Sequence, residues 1–246
     1  MIDEWGKGAK YWNHAWNPMI GCRKVSEGCA NCYAERLAAQ YPELQSADGG
    51  FEPHPPKHLK RPPKSGVVFC GNMTDLFGEW VDGLTIHEWI SALSPTATNL
   101  VLTKRAGRLR DFAYTDMMSL EHVFFGVTAE NQTRLEFRAV QLLQTGAFNK
   151  WISLEPLLEQ VDLETLSWDN DRIVDGIDWV VVGAESGPNR RPCKLEWVRQ
   201  IVRQCQAAGV PVFVKQLDLD GKLEKDIAKF PEDLQIRRVP WGKDEK

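Results

Sequence analysis

Six short apolar runs punctuate the chain between residues 67 and 214, and each ends in polar or glycine-containing residues that lead into a helical pattern. They are residues 67–70, 100–102, 123–127, 151–154, 179–182 and 210–214, all continuous and rich in β-branched or aromatic side chains. A strand that is apolar at every position, not at alternate ones, is covered on both faces, which is the situation of parallel strands under crossover helices. A first strand around 15–20 brings the expected number to about seven. Helix signals fill the intervals. Thr85 and Glu88 read as a capping box opening a helix to about Leu93, and Asn131 is placed to cap a helix carrying Leu135, Ala139, Leu142 and Leu143 on one face. Leu195, Val198, Val202 and Cys205 form a third stripe, closed by Gly209 and then Pro211. With no linker or composition shift, residues 1–246 are expected to form one α/β domain, a partial (β/α) TIM-like barrel with a C-terminal extension over about 218–246. A doubly wound open sheet is the competitor, but no G-x-G-x-x-G follows an early strand.

No run of about 18 apolar residues is present, and residues 1–10 are charged and polar without a signal-peptide core, so the chain is expected in the cytoplasm and off the membrane. The net charge of −4 excludes binding modes that need a globally basic protein and leaves room for local basic patches.

Cys22, Cys29 and Cys32 lie within one loop, 21–33, while Cys70, Cys193 and Cys205 are scattered. Clustered thiols in a reducing compartment point to a metal. Gly21 and Gly28 let the backbone curl, and the helix formers at 34–40 place Cys32 at a helix start, where the dipole favours thiolate. A structural zinc site wants four ligands, and only one C-x-x-C is present, with His14 the one histidine near in sequence. Three ligands and an open position suit an iron–sulfur cluster better than zinc. Cys70 in a strand and Cys205 on an apolar stripe read as core, whereas Cys193 sits in a polar stretch. The ten tryptophans are expected at packed edges and ligand walls.

In parallel α/β folds the chemistry gathers just after the strands. Here those segments carry Asn72, Thr74 and Asp75; Lys104 and Arg105; Thr128, Glu130 and Asn131; Glu155; Glu185; and Lys215. Caps and turns account for Thr, Ser, Asn and Gly. They do not account for six charged residues directly after buried strands, where a charge is costly unless paired or used. Carboxylates and amines facing one another there would suit a zwitterionic ligand such as the amino-acid head of a methionine derivative.

These segments resemble the radical S-adenosylmethionine (radical SAM) superfamily, and more closely a three-Cys-motif family found largely in phages and bacteria. The likeness is carried by seven blocks in order: 16–18 leading into Gly21 and Cys22, 29–34, 74–77, 102–105, 126–131, 153–157 and 185–187. The superfamily spacing is C-x3-C-x2-C, whereas six residues separate Cys22 from Cys29 here, and Asn31 stands where an aromatic residue usually precedes the last cysteine. The resemblance implies a radical SAM barrel in which Cys22, Cys29 and Cys32 hold three irons of a [4Fe–4S] cluster and the fourth iron takes the amino and carboxylate groups of SAM. It implies cofactor contacts from Asn72, Thr74 and Asp75 to the SAM amino group, from Lys104 or Arg105 to its carboxylate, and from Thr128, Glu130 and Asn131 to ribose or carboxylate. Glu155, Glu185 and Lys215 are then the substrate-side, catalytic candidates, with Tyr33 and Trp16 flanking the cluster.

Four basic residues and no acid occur over 57–64, Lys104, Arg105, Arg108 and Arg110 form a second basic group, and Arg190 with Arg191 a third. They suggest an anionic substrate, a nucleotide or a modified DNA base, with a rearrangement (isomerase) or lyase outcome. A flavodoxin or ferredoxin would serve as electron donor, and a phage-encoded copy would work in the host cytoplasm. Two other readings stay open: a zinc-stabilised nucleic-acid-binding protein, and a cluster- or SAM-binding barrel without radical chemistry.

Overall fold

All six apolar runs become strands of one sheet. The computed structural model describes residues 9–113, 119–167 and 169–241; the polar start up to residue 8 and the end of the C-terminal extension, 242–246, lie outside the described residues. The strands are β1 (His14–Trp16), β2 (Val67–Cys70), β3 (Thr98–Thr103), β4 (Val123–Thr128), β5 (Asn149–Leu154), β6 (Trp179–Gly183), β7 (Val212–Leu219) and β8 (Lys222–Glu224). Sheet order follows chain order from β1 to β8; β1 to β7 are parallel, and β8 turns back antiparallel on β7. The first strand is shorter than the expected 15–20, because Pro18 has no N–H for a ladder and the Asn17 side chain turns to the neighbouring loop.

Helices α1 (Tyr33–Gln40), α2 (Gly83–Ser91), α3 (Ala106–Phe112), α4 (Gln132–Leu143) and α5 (Leu195–Ala208) occupy the connections. Asn131 caps α4 by accepting from Arg134 N at 2.9 Å, and α5 ends on Gly209 with φ of 72°, both as the sequence implies. α2 starts earlier than the Thr85–Glu88 pattern predicts. Its cap is Asp82, whose carboxylate accepts from both the N–H (2.9 Å) and the hydroxyl (2.7 Å) of Thr85, and a carboxylate also gains from the helix dipole.

Alternate strand residues divide between two cores. Val68, Val101, Phe125, Ile152, Val180 and Val214 pack under the helices, together with Cys70, Cys193 and Cys205. The opposite face carries Phe69, Phe124, Trp151, Trp179 and Phe213 around Tyr11. The ring of Tyr11 lies 6.2 Å from Phe69 on β2 and 5.5 Å from Phe213 on β7. In a flat sheet five strand spacings would hold β2 and β7 about 24 Å apart. The sheet is therefore curled around its aromatic face, with β1 and β8 as its two unjoined edges.

This concave face answers the question of the tryptophans. Trp151 shares its indole N–H between the carbonyls of Val101 (3.2 Å) and Phe124 (3.1 Å), and Gly126 leaves the space, since a Cβ there would meet Trp151 Nε1 at 2.4 Å. Trp179 donates to Arg238 O at 2.9 Å. Four tryptophans, Trp12, Trp151, Trp179 and Trp241, thus fill the inside of the curl instead of marking its edges. The C-terminal segment borders the same face: Val214 N donates to Ile236 O (2.9 Å), Arg238 N to Val212 O (3.0 Å), and Trp241 packs edge-on against Phe124 and Trp179. Among the described residues no helix is long and apolar enough to cross a membrane.

Candidate functional site

The cysteine loop joins β1 to α1 and is tied to the C-terminal ends of the strands. Gly21 takes φ of 92°, and a Cβ there would come within 2.1 Å of Glu52 O, so only glycine fits. Gly21 N donates to Met73 O (3.0 Å) and Gly21 O accepts from the Thr74 hydroxyl (2.8 Å), both beyond β2. Beyond β3, Arg105 donates to Arg23 O at 3.0 Å and brings Nη1 to 4.0 Å from Cys22 Sγ. Beyond β4, Glu130 accepts from Gly28 N (3.3 Å), while Asn131 and Arg134 both hold Glu27, the latter at 3.1 Å. Beyond β6, Glu185 accepts from the Asn31 amide at 2.9 Å. Cys32 is the N-cap residue of α1, as expected, and Tyr33 donates its hydroxyl to Asn72 O while 42% of the residue stays exposed.

Arg105, Glu130 and Glu185 each stand two residues past their strand, and each has a charged partner. Arg105 pairs with Asp75 (3.1 Å) and Glu79 (2.7 Å) and lies over the ring of Trp80 at 4.6 Å. Asp75 also accepts from the Thr103 hydroxyl (2.6 Å) and from the backbone N–H of Phe77 (3.0 Å) and Lys104 (3.1 Å). Glu130, fully buried, pairs with Arg138 at 2.9 Å, and Arg138 donates in addition to Thr128 O at 2.7 Å. Burial works against the charge of Glu185, but Arg191 and Asn31 hold its carboxyl below the usual range. The buried charges are thus all partnered, which is the condition under which they are tolerated.

The six cysteines divide as the sequence suggests. Cys70, Cys193 and Cys205 are buried, while Cys22, Cys29 and Cys32 are half-buried. Burial, reinforced by Asp75 and opposed by Arg105, pushes the Cys22 thiol up to about 12, and the charges of Cys32 and Cys29 are near enough to add to the rise. Among the described residues no three His, Cys, Asp or Glu side chains lie close enough together to clasp one metal ion.

Glu155 and Lys215 form a second centre, on the concave face. Lys215 Nζ is 2.8 Å from Glu155 Oε1, and Glu155 Oε2 accepts from the hydroxyls of Ser153 (3.1 Å) and Tyr11 (3.2 Å). The ammonium lies 5.3 Å from the ring centre of Tyr11 and 5.5 Å from that of Trp12. Burial, and then the charge of Glu155, raise the Tyr11 hydroxyl well above its ordinary value, so it stays a neutral donor. Gly183 makes room, since a Cβ would stand 3.1 Å from Glu155 Oε1.

Of the catalytic candidates, then, Glu155 and Lys215 come together, whereas Glu185 belongs to the cysteine loop. Of the cofactor candidates, Thr74, Asp75, Arg105, Glu130 and Asn131 have their side chains engaged in holding that loop or its support. Asn72 accepts from the Asn17 amide at 2.7 Å, Thr128 is buried at the end of β4, and Lys104 is half-buried with no side-chain partner among the described residues. Tyr11, Ser153 and Arg138 were not singled out in the sequence, and Arg191, read there as part of a basic group for an anionic substrate, pairs with Glu185 instead. Ser153 was legible in principle, since the two-residue period of β5 puts Trp151, Ser153 and Glu155 on one face; Tyr11 precedes the first strand and has no such signal.

No match is found among curated proteins or among solved structures. The profile of a family described as proteins of unknown function, DUF5131, matches residues 7–231, and the chain belongs to that family.

Proposed function

We propose that this protein is a radical SAM enzyme whose curled sheet is a partial (β/α) barrel and whose Cys22, Cys29 and Cys32 hold a [4Fe–4S] cluster. The observation that carries this reading is the suspension of three half-buried thiols across the ends of four strands, with the other three cysteines sealed in the core. The donor set fits the group. Three thiolates that each take a separate iron need not crowd around a single point, whereas a structural zinc ion wants four ligands around it. When bound, the cluster would supply one low-potential electron for the reductive cleavage of SAM, which starts hydrogen abstraction from substrate.

The chain's own residues orient and neutralise. Arg105 sets a fixed cation beside Cys22, offsetting thiolate charge, and Asp75, Glu79 and Trp80 fix its guanidinium. Glu130, Asn131 and Glu185 act as positioning residues for the loop. Lys104, without a side-chain partner among the described residues, would take the carboxylate of SAM, and Asn72, whose backbone carbonyl accepts from Tyr33, would meet its amino group. Glu155 and Lys215, which stay partly accessible beside the aromatic core, would meet the substrate. Lys215, held over two aromatic rings, can meet an anionic group, and Glu155 can accept or return a proton with Tyr11 and Ser153 as donors. The reaction is then a rearrangement or lyase step on an anionic substrate such as a nucleotide or modified DNA base, in the cytoplasm, with a flavodoxin- or ferredoxin-type donor.

The test is anaerobic reconstitution with iron and sulfide, then dithionite and SAM, with 5′-deoxyadenosine as the readout. Visible charge-transfer absorption with SAM cleavage is the expected result. Stoichiometric zinc in a colourless protein sinks the proposal, and a brown protein that leaves SAM intact reduces it to a binding role.

A further inference from the structure

We propose that the segment 53–66, together with the exposed face of α1, is a binding surface for single-stranded nucleic acid. The backbone of this segment is pinned. His54 and Ile20 exchange both backbone hydrogen bonds (2.8 and 2.9 Å), Lys60 O accepts from the Trp16 indole at 2.8 Å, and Lys64 O accepts from the Thr96 hydroxyl. Five prolines between 53 and 63 restrict it further. Its charged side chains are the opposite. Lys57, Lys60, Arg61 and Lys64 are exposed, and among the described residues none has an ion-pair partner. Elsewhere on the surface Arg23, Lys24, Arg134 and Arg199 each lie within 3.1 Å of a carboxylate. The segment holds no acid, so it concentrates four positive charges in a chain of net charge −4. A fixed backbone carrying unneutralised cations loses little entropy on meeting a row of anions.

The cation rail spans at most about 25 Å from Lys57 to Lys64, a length suited to a line of phosphates. The chain enters the segment from the cysteine loop, where Cys22 N donates to Phe51 O at 3.0 Å and Ile20 pairs with His54. The other flank of that loop is α1: its Tyr33 and Leu37, and Tyr41 just past its end, are 42%, 37% and 48% exposed. Charges that track a backbone and exposed aromatic rings on which bases stack are the two elements of sequence-tolerant single-strand binding. Single strands are favoured over duplex because a base must be unpaired to stack on Tyr33 or Tyr41. The inference is independent of the cluster, since binding is measured on the protein as purified and without SAM.

The experiment is fluorescence anisotropy with a labelled oligothymidylate across a salt series, with phosphatidylserine vesicles as a parallel arm. Four phosphate contacts predict a slope of log affinity against log salt of about −2.8, or about 50-fold weakening between roughly 50 and 200 mM. The quadruple variant Lys57→Gln, Lys60→Gln, Arg61→Gln and Lys64→Gln should lose on the order of 50-fold in affinity and most of the slope. Tyr41→Ala should lose at least about 5-fold with the slope unchanged. If the quadruple variant fails to fold, single substitutions carry the same test, each removing about 0.7 from the slope. Wild-type protein that ignores the oligonucleotide at about 50 mM salt, a quadruple variant that binds it undiminished, or vesicles bound in its place would each overturn the proposal.

Discussion

Two sets of strand-end charges do opposite work in this molecule. On β2, β3, β4 and β6 the polar and charged residues turn towards the loop 21–33 and hold it by hydrogen bonds, each buried charge closed off by a partner of its own. Glu155, just after β5, and Lys215, inside β7 and not beyond it as the apolar run suggests, turn to the concave face and make no hydrogen bond to the loop among the described residues. A charge at a strand end is therefore not by itself a ligand contact; where its second oxygen or nitrogen goes decides which job it has. The loop side builds a mount, and the concave side retains a partly accessible pair.

The sharpest way to break this contrast is through iron. After anaerobic reconstitution, Cys22→Ala, Cys29→Ala and Cys32→Ala should each lose cluster absorption, while Cys205→Ala, fully buried under the helices, should keep it. Full retention in the triple variant would remove the loop from the metal centre. Next in size is Arg138→Ala. It strands the fully buried Glu130 without its cation, so thermal unfolding should show a loss of about 3–5 kcal/mol. Because Glu130 also holds Gly28, iron content should fall with it. Lys215→Met should cost less, roughly 1–2 kcal/mol, because Glu155 keeps the hydroxyls of Tyr11 and Ser153. Its iron content should match the wild type. Iron lost on Lys215→Met would erase the distinction between the two regions.

Most of the sheet could be read from the sequence because each strand is a continuous apolar run, and a strand buried on both faces can hardly be written otherwise. The cysteine partition was legible for the clustered trio and for Cys70 and Cys205 in their apolar patterns, but not for Cys193, which is buried although its neighbours in sequence are polar. What could not be read was direction. Glu130, Glu155 and Glu185 occupy similar places after similar strands, yet Arg138 on α4, Lys215 on β7 and Arg191 in a loop send them to different tasks. Those partners lie 8, 60 and 6 residues away, and no local period connects them. The inner aromatic core was hidden for a related reason: Tyr11, Phe69 and Phe213 meet only because the sheet curls.

The smallest effect tests the mount at Glu185. Arg191 and the Asn31 amide hold Glu185 as a carboxylate below the usual range, although burial opposes the charge. A carboxyl whose folded pKa lies below its unfolded one adds stability that is complete above the unfolded value and is lost as pH falls through the folded one. Glu185→Gln should therefore lower stability by about 1 kcal/mol near neutrality, because Arg191 loses its counter-charge while Asn31 keeps an acceptor. The difference between wild type and variant, followed by thermal unfolding from neutral pH downward, should shrink once pH drops below the ordinary carboxylate range, where the wild-type side chain also becomes neutral. A gap that stays constant at acid pH would show that Glu185 supports the loop through shape and hydrogen bonding alone, with its charge irrelevant to the mount.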